Sequence, residues 1–153
     1  VAGFGIQLAK HIGAYVVSTT SAANVDYVRS LGADEVIDYN EQDFRDVISN
    51  CDAVFDTVGG DVAKGAFDVL KTGGRVAFIA SGAKGLDAPS SDFASLRPNV
   101  YRDRPHLERV LKLIELGAVT PPAIELFSLD EVVEAQELSQ SRHFRGKLVF
   151  NMR

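Results

Sequence analysis

The stretch VAGFGIQLAKHIGAYVVSTT (residues 1–20) places an apolar helix directly before a short β-branched strand. The pattern predicts a helix over residues 3–12 and a buried strand over residues 14–18, which is bounded by glycine and a polar cluster. Two glycines lie at the start of the helix, where each costs roughly 1 kcal/mol relative to alanine in a helix interior. They indicate close approach by a phosphate group or by a neighbouring strand. A frayed terminus of small residues is the alternative.

Helices and strands alternate through the next sixty residues. Predicted strands lie at residues 35–38, 53–58 and 75–81, and predicted helices at 25–31, 44–48 and 62–70. Regular alternation of short apolar strands with helices favours an α/β fold with a doubly wound parallel sheet.

The regular alternation of predicted helices and strands ends after residue 81. A segment rich in small and turn-forming residues reads as a loop with a short edge strand near residues 95–100. Beyond it the sequence predicts a helix over 105–116, a break at Pro121-Pro122, a strand over 123–129, a helix over 130–141 and a strand over 146–152. We therefore expect a carboxy-terminal β-α-β tail that packs apart from the main sheet.

A doubly wound nucleotide-binding fold begins with a central strand, followed by a glycine-rich turn and a helix. This sequence begins at the helix. We therefore expect a fragment that lacks its first strand, so that residues 14–18 and 53–58 do not pair directly. Such a fragment is expected to be inactive alone.

Composition excludes several classes of function. The chain is 46% hydrophobic and 24% charged with a net charge of −5, and it has no basic cluster of the kind that nucleic acid requires. No apolar run is long enough to span a bilayer. The single cysteine, Cys51, fits a reducing, cytoplasmic location. Three dispersed histidines, His11, His106 and His143, do not suggest a metal site.

Several segments in order resemble the medium-chain dehydrogenases/reductases, and within them the zinc-independent quinone oxidoreductases. They are VAGFGIQLAKHIGA (1–14), LGADEVIDY (31–39), AVFDTVGG (53–60), GGRVAFIASG (73–82) and RGKLVF (145–150).

The resemblance implies a Rossmann-like fold with two parts. Residues 1–117 would form a partial dinucleotide-binding domain, and residues 118–153 the carboxy-terminal segment of the catalytic domain. It also implies an NADPH-dependent oxidoreductase that transfers hydride to a small-molecule quinone or enone. The intact protein would be a homodimer that binds neither nucleic acid nor membrane.

The resemblance further implies a set of cofactor contacts. Ala2 and Gly3 would belong to the pyrophosphate loop, and Lys147 would lie at the domain junction. The adenosine side would be lined by Thr20, Ser21, Asn24 and Tyr39, and the nicotinamide side by Val58, Ile79, Ala80 and Ser81. Ordinary core positions for Ile79 and Ala80, and a solvated Lys147, are the alternatives. No catalytic residue and no metal ligand is assigned.

The end of the strand over 14–18 bears on the choice of cofactor. Enzymes that use NAD usually place an acid there to bind the ribose 2′-hydroxyl. The stretch STTSAAN (18–24) has hydroxyls and no acid, which favours NADP(H) over NAD(H). Ala23 stands where several relatives carry a cation, and Ser21 has the alternative role of a helix N-cap.

Two other functions stay open at this point. A zinc-dependent alcohol dehydrogenase of the same superfamily would carry its ligands outside this sequence. A non-enzymatic binding or interaction module that kept the fold is the second alternative. The sequence contains no nucleophile–base pair and no carboxylate dyad, which agrees with hydride chemistry, in which the cofactor reacts and the protein orients it.

Overall fold

The computed structural model describes residues 1–80, 86–141 and 144–152. The chain divides into two compact units, Val1–Val119 and Thr120–Arg153. The functional assignment of residues 1–117 to a cofactor-binding domain and of residues 118–153 to a catalytic domain stays a prediction. Within the described ranges, every helix is too short or too polar to traverse a lipid bilayer.

The first unit alternates helices and strands in the predicted order. Its helices are α1 (Ala2–His11), α2 (Val25–Ser30), α3 (Phe44–Val47), α4 (Gly60–Lys64) and α5 (Arg104–Glu115). Its strands are β1 (Val17–Thr20), β2 (Glu35–Asp38), β3 (Cys51–Asp56), β4 (Leu70–Phe78) and β5 (Ala94–Leu96).

The strands of the first unit form two sheets. β1 pairs with β2, and the second sheet has the order β3-β4-β5. Every pair is parallel, which confirms the predicted parallel α/β fold. Among the described residues β1 and β3 do not pair with each other, as expected from the sequence.

Each sheet of the first unit has its own apolar core. Ile6 of α1 packs with Val28 of α2 and with Ala33 beside the two-stranded sheet. The larger cluster covers the three-stranded sheet and consists of Ala63, Ala66, Phe67, Leu70, Val76 and Phe78. Burial of each large side chain of this kind stabilises the fold by about 1.5–3 kcal/mol.

The two glycines of α1 allow its neighbours to approach closely. A Cβ on Gly5 would lie 2.9 Å from Cδ1 of Phe55 on β3, and one on Gly3 would lie 3.0 Å from Cδ1 of Leu31 after α2. Both distances are shorter than ordinary carbon contacts. Gly5 therefore packs against a strand, which is one of the two roles that the sequence indicated for the glycines of this helix.

The predicted helix over residues 62–70 is wrong at its carboxy-terminal end. α4 ends at Lys64 and continues as one 3₁₀ turn over Gly65–Phe67, and β4 already begins at Leu70. Leu70 pairs with Cys51, whereas Ala53 pairs with Arg75, so the residues between Leu70 and Arg75 form a bulge. The glycine pair at 73–74 therefore lies within the bulge of β4.

Several strand boundaries differ from the predicted ones. β1 starts at Val17 and not at residue 14, and β3 ends at Asp56 and not at residue 58. At the end of β3 the Asp56 side chain accepts hydrogen bonds from the amides of Val58 and Gly59, which hold the chain in a turn. β4 ends at Phe78, and the predicted end at Ser81 lies outside the described residues.

The second unit is a parallel β-α-β arrangement, as predicted. Its elements are β6 (Ile124–Phe127), α6 (Val132–Ser141) and β7 (Lys147–Phe150). The glutamate of a 3₁₀ turn, Glu131, accepts hydrogen bonds from the Ser128 amide and hydroxyl, a capping box that begins the helical segment. Gly146 has φ +107°, and a Cβ there would lie 2.3 Å from the Ala123 carbonyl oxygen, so only glycine fits at the entry to β7.

Candidate functional site

A hydroxyl cluster, formed by Thr20, Ser21 and Tyr39, lies where β1 and β2 end. Thr20 is the last residue of β1, and its carbonyl oxygen accepts a hydrogen bond from the Tyr39 amide at 3.1 Å. Ser21 follows directly, and its Oγ accepts a bond from Asn24 Nδ2 at 3.3 Å. The structure thus brings together all four predicted adenosine-side residues at the carboxyl edge of a parallel sheet, which is where ligands bind in such folds.

The hydroxyl groups of this cluster face few protein partners. Tyr39 is 61% exposed, and within the described chain its hydroxyl and that of Thr20 make no hydrogen bond. Ser21 occupies the N-cap position of the 3₁₀ turn Ala22–Asn24, but its side chain makes no capping hydrogen bond. Ser21 therefore has the N-cap position that the alternative gave it, but its hydroxyl makes no capping bond to the turn.

The amino terminus of α1 presents its backbone amides without a competing acid. Val1 holds the N-cap position with no side-chain cap, and the first turn contains no acidic residue. The N-terminal end of a helix carries a partial positive charge that favours anions. The predicted contacts Ala2 and Gly3 are the first two residues of this helix.

Asp56 organises the turn after β3. Its carboxylate is 6% exposed and accepts hydrogen bonds from the amides of Val58 at 3.2 Å and Gly59 at 3.1 Å. Gly59 has φ +77° and precedes α4. The carboxylate thus holds the turn and leaves Val58 66% exposed after the end of β3.

The end of β4 lies beside this turn. Ile79 follows β4, and its amide donates to the Asp56 carbonyl oxygen at 3.1 Å. Ile79 is 37% exposed and Ala80 is half-buried, so Ile79 is not the core residue that the alternative reading expected. Val58 and Ile79 are brought to one edge of the sheet, whereas the third predicted residue of this strand end, Ser81, is outside the described part of the chain.

Lys147 belongs to the second unit. It is the first residue of β7, where its amide donates to the Ala123 carbonyl oxygen at 2.9 Å and its side chain is exposed. Its predicted contact with a cofactor stays a prediction.

The described residues do not fit a metal site. Across residues 1–80, 86–141 and 144–152, no three His, Cys, Asp or Glu side chains are grouped as metal ligands. His106 instead pairs through Nδ1 with Asp103 Oδ1 at 2.6 Å at the start of α5, while His143 is outside the described residues. Burial raises the pKa of the Cys51 thiol, which disfavours the thiolate that would bind a metal.

One acid of this site was missed from the sequence. Asp38 ends β2 and pairs in register with Thr20 of β1. The signal available was the acid that closes the β-branched strand EVID (35–38). Its place beside Thr20 depends on the register between β1 and β2, which neither strand shows alone.

Residues 31–150 match the sequence model of the zinc-binding dehydrogenases, which is most of the chain. The chain belongs to the zinc-binding dehydrogenase family. This membership agrees with the resemblance to the medium-chain dehydrogenases/reductases, which is confirmed. The family is named for zinc binding, but among the described residues no group of side chains could hold a metal ion.

Individual relatives of this family member are oxidoreductases by name. The mitochondrial NAD(P)H oxidoreductase RTN4IP1 of Danio rerio is 30% identical over 99% of this chain and 46% of its own length. The chloroplastic NADPH-dependent alkenal/one oxidoreductase of Arabidopsis thaliana is 33% identical over 94% of this chain and 36% of its own length. The chain spans less than half the length of these curated relatives.

A solved structure supports the same assignment. The quinone oxidoreductase of Coxiella burnetii superposes with a TM-score of 0.82 and 32% sequence identity. The match covers 98% of this chain and 49% of that protein. It confirms the Rossmann-like α/β fold of this family member.

Proposed function

We propose that this chain is the cofactor-binding part of an NADPH-dependent oxidoreductase that transfers hydride to a quinone or an enone. The observation that carries the proposal is the group of hydroxyls at the ends of β1 and β2, in which Thr20 and Tyr39 keep their hydroxyls free of the described protein groups. The names of the Arabidopsis relative, an NADPH-dependent alkenal/one oxidoreductase, and of the Coxiella neighbour, a quinone oxidoreductase, support this choice.

The donor set of the chain fits a nicotinamide dinucleotide phosphate. Thr20, Ser21 and Tyr39 would donate hydrogen bonds to the 2′-phosphate, with Asn24 beside them. The amides of Ala2 and Gly3 at the start of α1 would face the pyrophosphate. When bound, the cofactor supplies the hydride.

The remaining residues of the site would orient the nicotinamide end. The turn held by Asp56 fixes the Val58 backbone, and Ile79 and Ala80 follow the neighbouring strand end. The cofactor contacts of Ser81, which lies outside the described residues, and of Lys147, which belongs to the second unit, stay predictions. The residues at the ends of β3 and β4 would position the nicotinamide ring and exclude water from it, and none of them is proposed as an acid or a base.

Hydrogen bonds to charged groups contribute roughly 1.5–3 kcal/mol each. One such bond to the 2′-phosphate gives about a tenfold preference, since 1.4 kcal/mol corresponds to a factor of ten. We therefore expect kcat/KM with NADPH to exceed that with NADH by about tenfold or more, with a quinone or enone acceptor.

The decisive variant is Ser21→Asp, with Ser21→Ala as the matched control. An aspartate next to the phosphate would cost of the order of 4 kcal/mol at about 4 Å and an effective dielectric constant of 20. It should abolish or reverse the NADPH preference, whereas Ser21→Ala should only reduce it. Equal use of both cofactors by the wild type, or an unchanged ratio in Ser21→Asp, would contradict the proposal.

Cofactor titration separates this proposal from a binding module without catalysis. Quenching or enhancement of NADPH fluorescence reports binding without any acceptor. Binding together with turnover is expected, and binding without turnover of any quinone or enone would favour the non-enzymatic alternative.

The cytoplasmic location stays a prediction, since the names of two relatives place them in a mitochondrion and a chloroplast.

A further inference from the structure

Asp38 places a carboxylate beside the hydroxyl cluster. It is the last residue of β2, and its register partner on β1 is Thr20. Neighbouring strands lie about 4.8 Å apart, and residues in register on parallel strands project from the same face of the sheet. The acid that was absent from the residues following β1 is therefore supplied by the adjacent strand.

The carboxylate of Asp38 is held in place on one side only. Its Oδ1 accepts hydrogen bonds from the Asn40 amide and from Asn40 Nδ2, both at 3.0 Å. The carbonyl oxygen of Asp38 accepts from the amides of Glu41 and Gln42, which fixes the turn. Within the described chain Oδ2 accepts no hydrogen bond and no cation pairs with Asp38. A half-buried, oriented acceptor thus remains open at the carboxyl edge.

We propose that Asp38 is a specificity-determining residue that limits the preference for NADP(H) and lets the same pocket accept NAD(H). This inference rests on the proposed function. A carboxylate only accepts hydrogen bonds, so Oδ2 can bind the ribose 2′-hydroxyl of NAD(H) but repels a 2′-phosphate. Ala23 brings no cation to offset that repulsion. The hydroxyls of Thr20, Ser21 and Tyr39 favour the phosphate, and Asp38 opposes them.

The test compares dissociation constants of NADP⁺ and NAD⁺ by calorimetry, at low salt and at high salt. The variant is Asp38→Asn, which removes the charge and keeps an oxygen for the Asn40 amide. Asp38→Ser removes the same charge through a different side chain, in case the amide disturbs the turn. The matched control is Asp26→Asn on α2, whose carboxylate is fully exposed and lies 3.9 Å from Arg29.

Both Asp38 variants should tighten NADP⁺ binding by about fivefold and weaken NAD⁺ binding, so that their ratio changes by about tenfold or more. The gain for NADP⁺ should shrink at high salt, because exposed charges are screened. Asp26→Asn should change the ratio by less than about twofold.

The outcomes separate the two proposals. Wild-type binding of NADP⁺ with an unchanged ratio in both Asp38 variants would overturn the inference and leave the proposed function standing, since Asp38 would then only shape its turn. Failure of the wild type to bind either cofactor would overturn both.

Discussion

At the scale of single residues, the carboxylate of Asp34 links α1 to the segments that lead into β1 and β2. Lys10 Nζ donates to Oδ1 at 2.9 Å and to Oδ2 at 2.8 Å, and the Val16 amide donates to Oδ2 at 2.7 Å. Asp34 itself immediately precedes β2. The bond from Lys10 and then that from the Val16 amide lower the pKa of Asp34 from its usual value of 3.8.

This pairing gives Asp34→Asn a pH-dependent effect on stability. A lowered folded-state pKa means that the stabilisation is fully present above the unfolded-state pKa and is lost as the pH falls through the folded-state pKa. We expect Asp34→Asn to lower the melting temperature at neutral pH, with the difference shrinking below about pH 4. Thermal melts by circular dichroism between neutral and acid pH check this.

Asp26→Asn serves as the control for this prediction too. Its carboxylate is exposed and lies 3.9 Å from Arg29, so it should change the melting temperature little at any pH. A destabilisation by Asp34→Asn that is the same at every pH would show that the ion pair is not its cause.

Residues near each other in sequence were the predictable part of the site. The hydroxyls of Thr20 and Ser21 follow from the single stretch STTSAAN. Asp38 was missed because its position beside Thr20 depends on the register between two strands. Register is a property of pairing and is not visible in either strand alone.

At the scale of elements, the packing of α1 on Phe55 determines what Gly5 tolerates. Alanine is normally about 1 kcal/mol better than glycine in a helix. A Cβ at Gly5 would meet the Phe55 ring at 2.9 Å, so we expect Gly5→Ala to gain no stability in the wild type. In a Phe55→Ala background the same change should stabilise by about 1 kcal/mol.

Urea unfolding of the four proteins in this cycle measures the coupling between the two positions. We expect a coupling free energy of about 1 kcal/mol or more. Equal effects of Gly5→Ala in both backgrounds would show that the ring moves aside at no cost. The exposed fraction of Phe55, 46%, makes this the alternative to test.

The order of elements followed from hydrophobic periodicity, but several boundaries did not, among them the end of the helix predicted over residues 62–70. Val62, Ala66, Val69 and Leu70 have helical spacing, and this favoured a helix through residue 70. The chain instead extends at Leu70, because Leu70 pairs with Cys51 and Lys71 forms an ion pair with Asp52. These partners lie some twenty residues away, so tertiary pairing decided a boundary that local spacing could not.

At the scale of the whole molecule, β5 bears on assembly. Its paired neighbour within the described residues is β4, so its other side is an edge. Leu96 on this strand is 41% exposed. We expect β5 to pair with its symmetry mate in the homodimer of the intact protein. Light scattering of the intact protein at micromolar concentration should give the dimer mass, and a monomer mass would contradict it.

A lysine on the edge strand tests the location of that interface. Leu96→Lys places a like charge on both copies and should raise the dimer dissociation constant by about tenfold or more. Val47→Lys on α3 is the matched control, since Val47 is 44% exposed and belongs to a helix and not to the edge strand. Equal weakening by both variants would place the interface elsewhere.

The division of the strands into separate sheets has a consequence for folding during synthesis on the ribosome. The strands of each sheet come from one continuous stretch, residues 17–38, 51–96 and 124–150 in turn. Short chain separations keep loop-closure entropy small and favour rapid formation. We expect each sheet to form soon after its last strand leaves the ribosome, so that synthesis itself sets the order in which the sheets assemble.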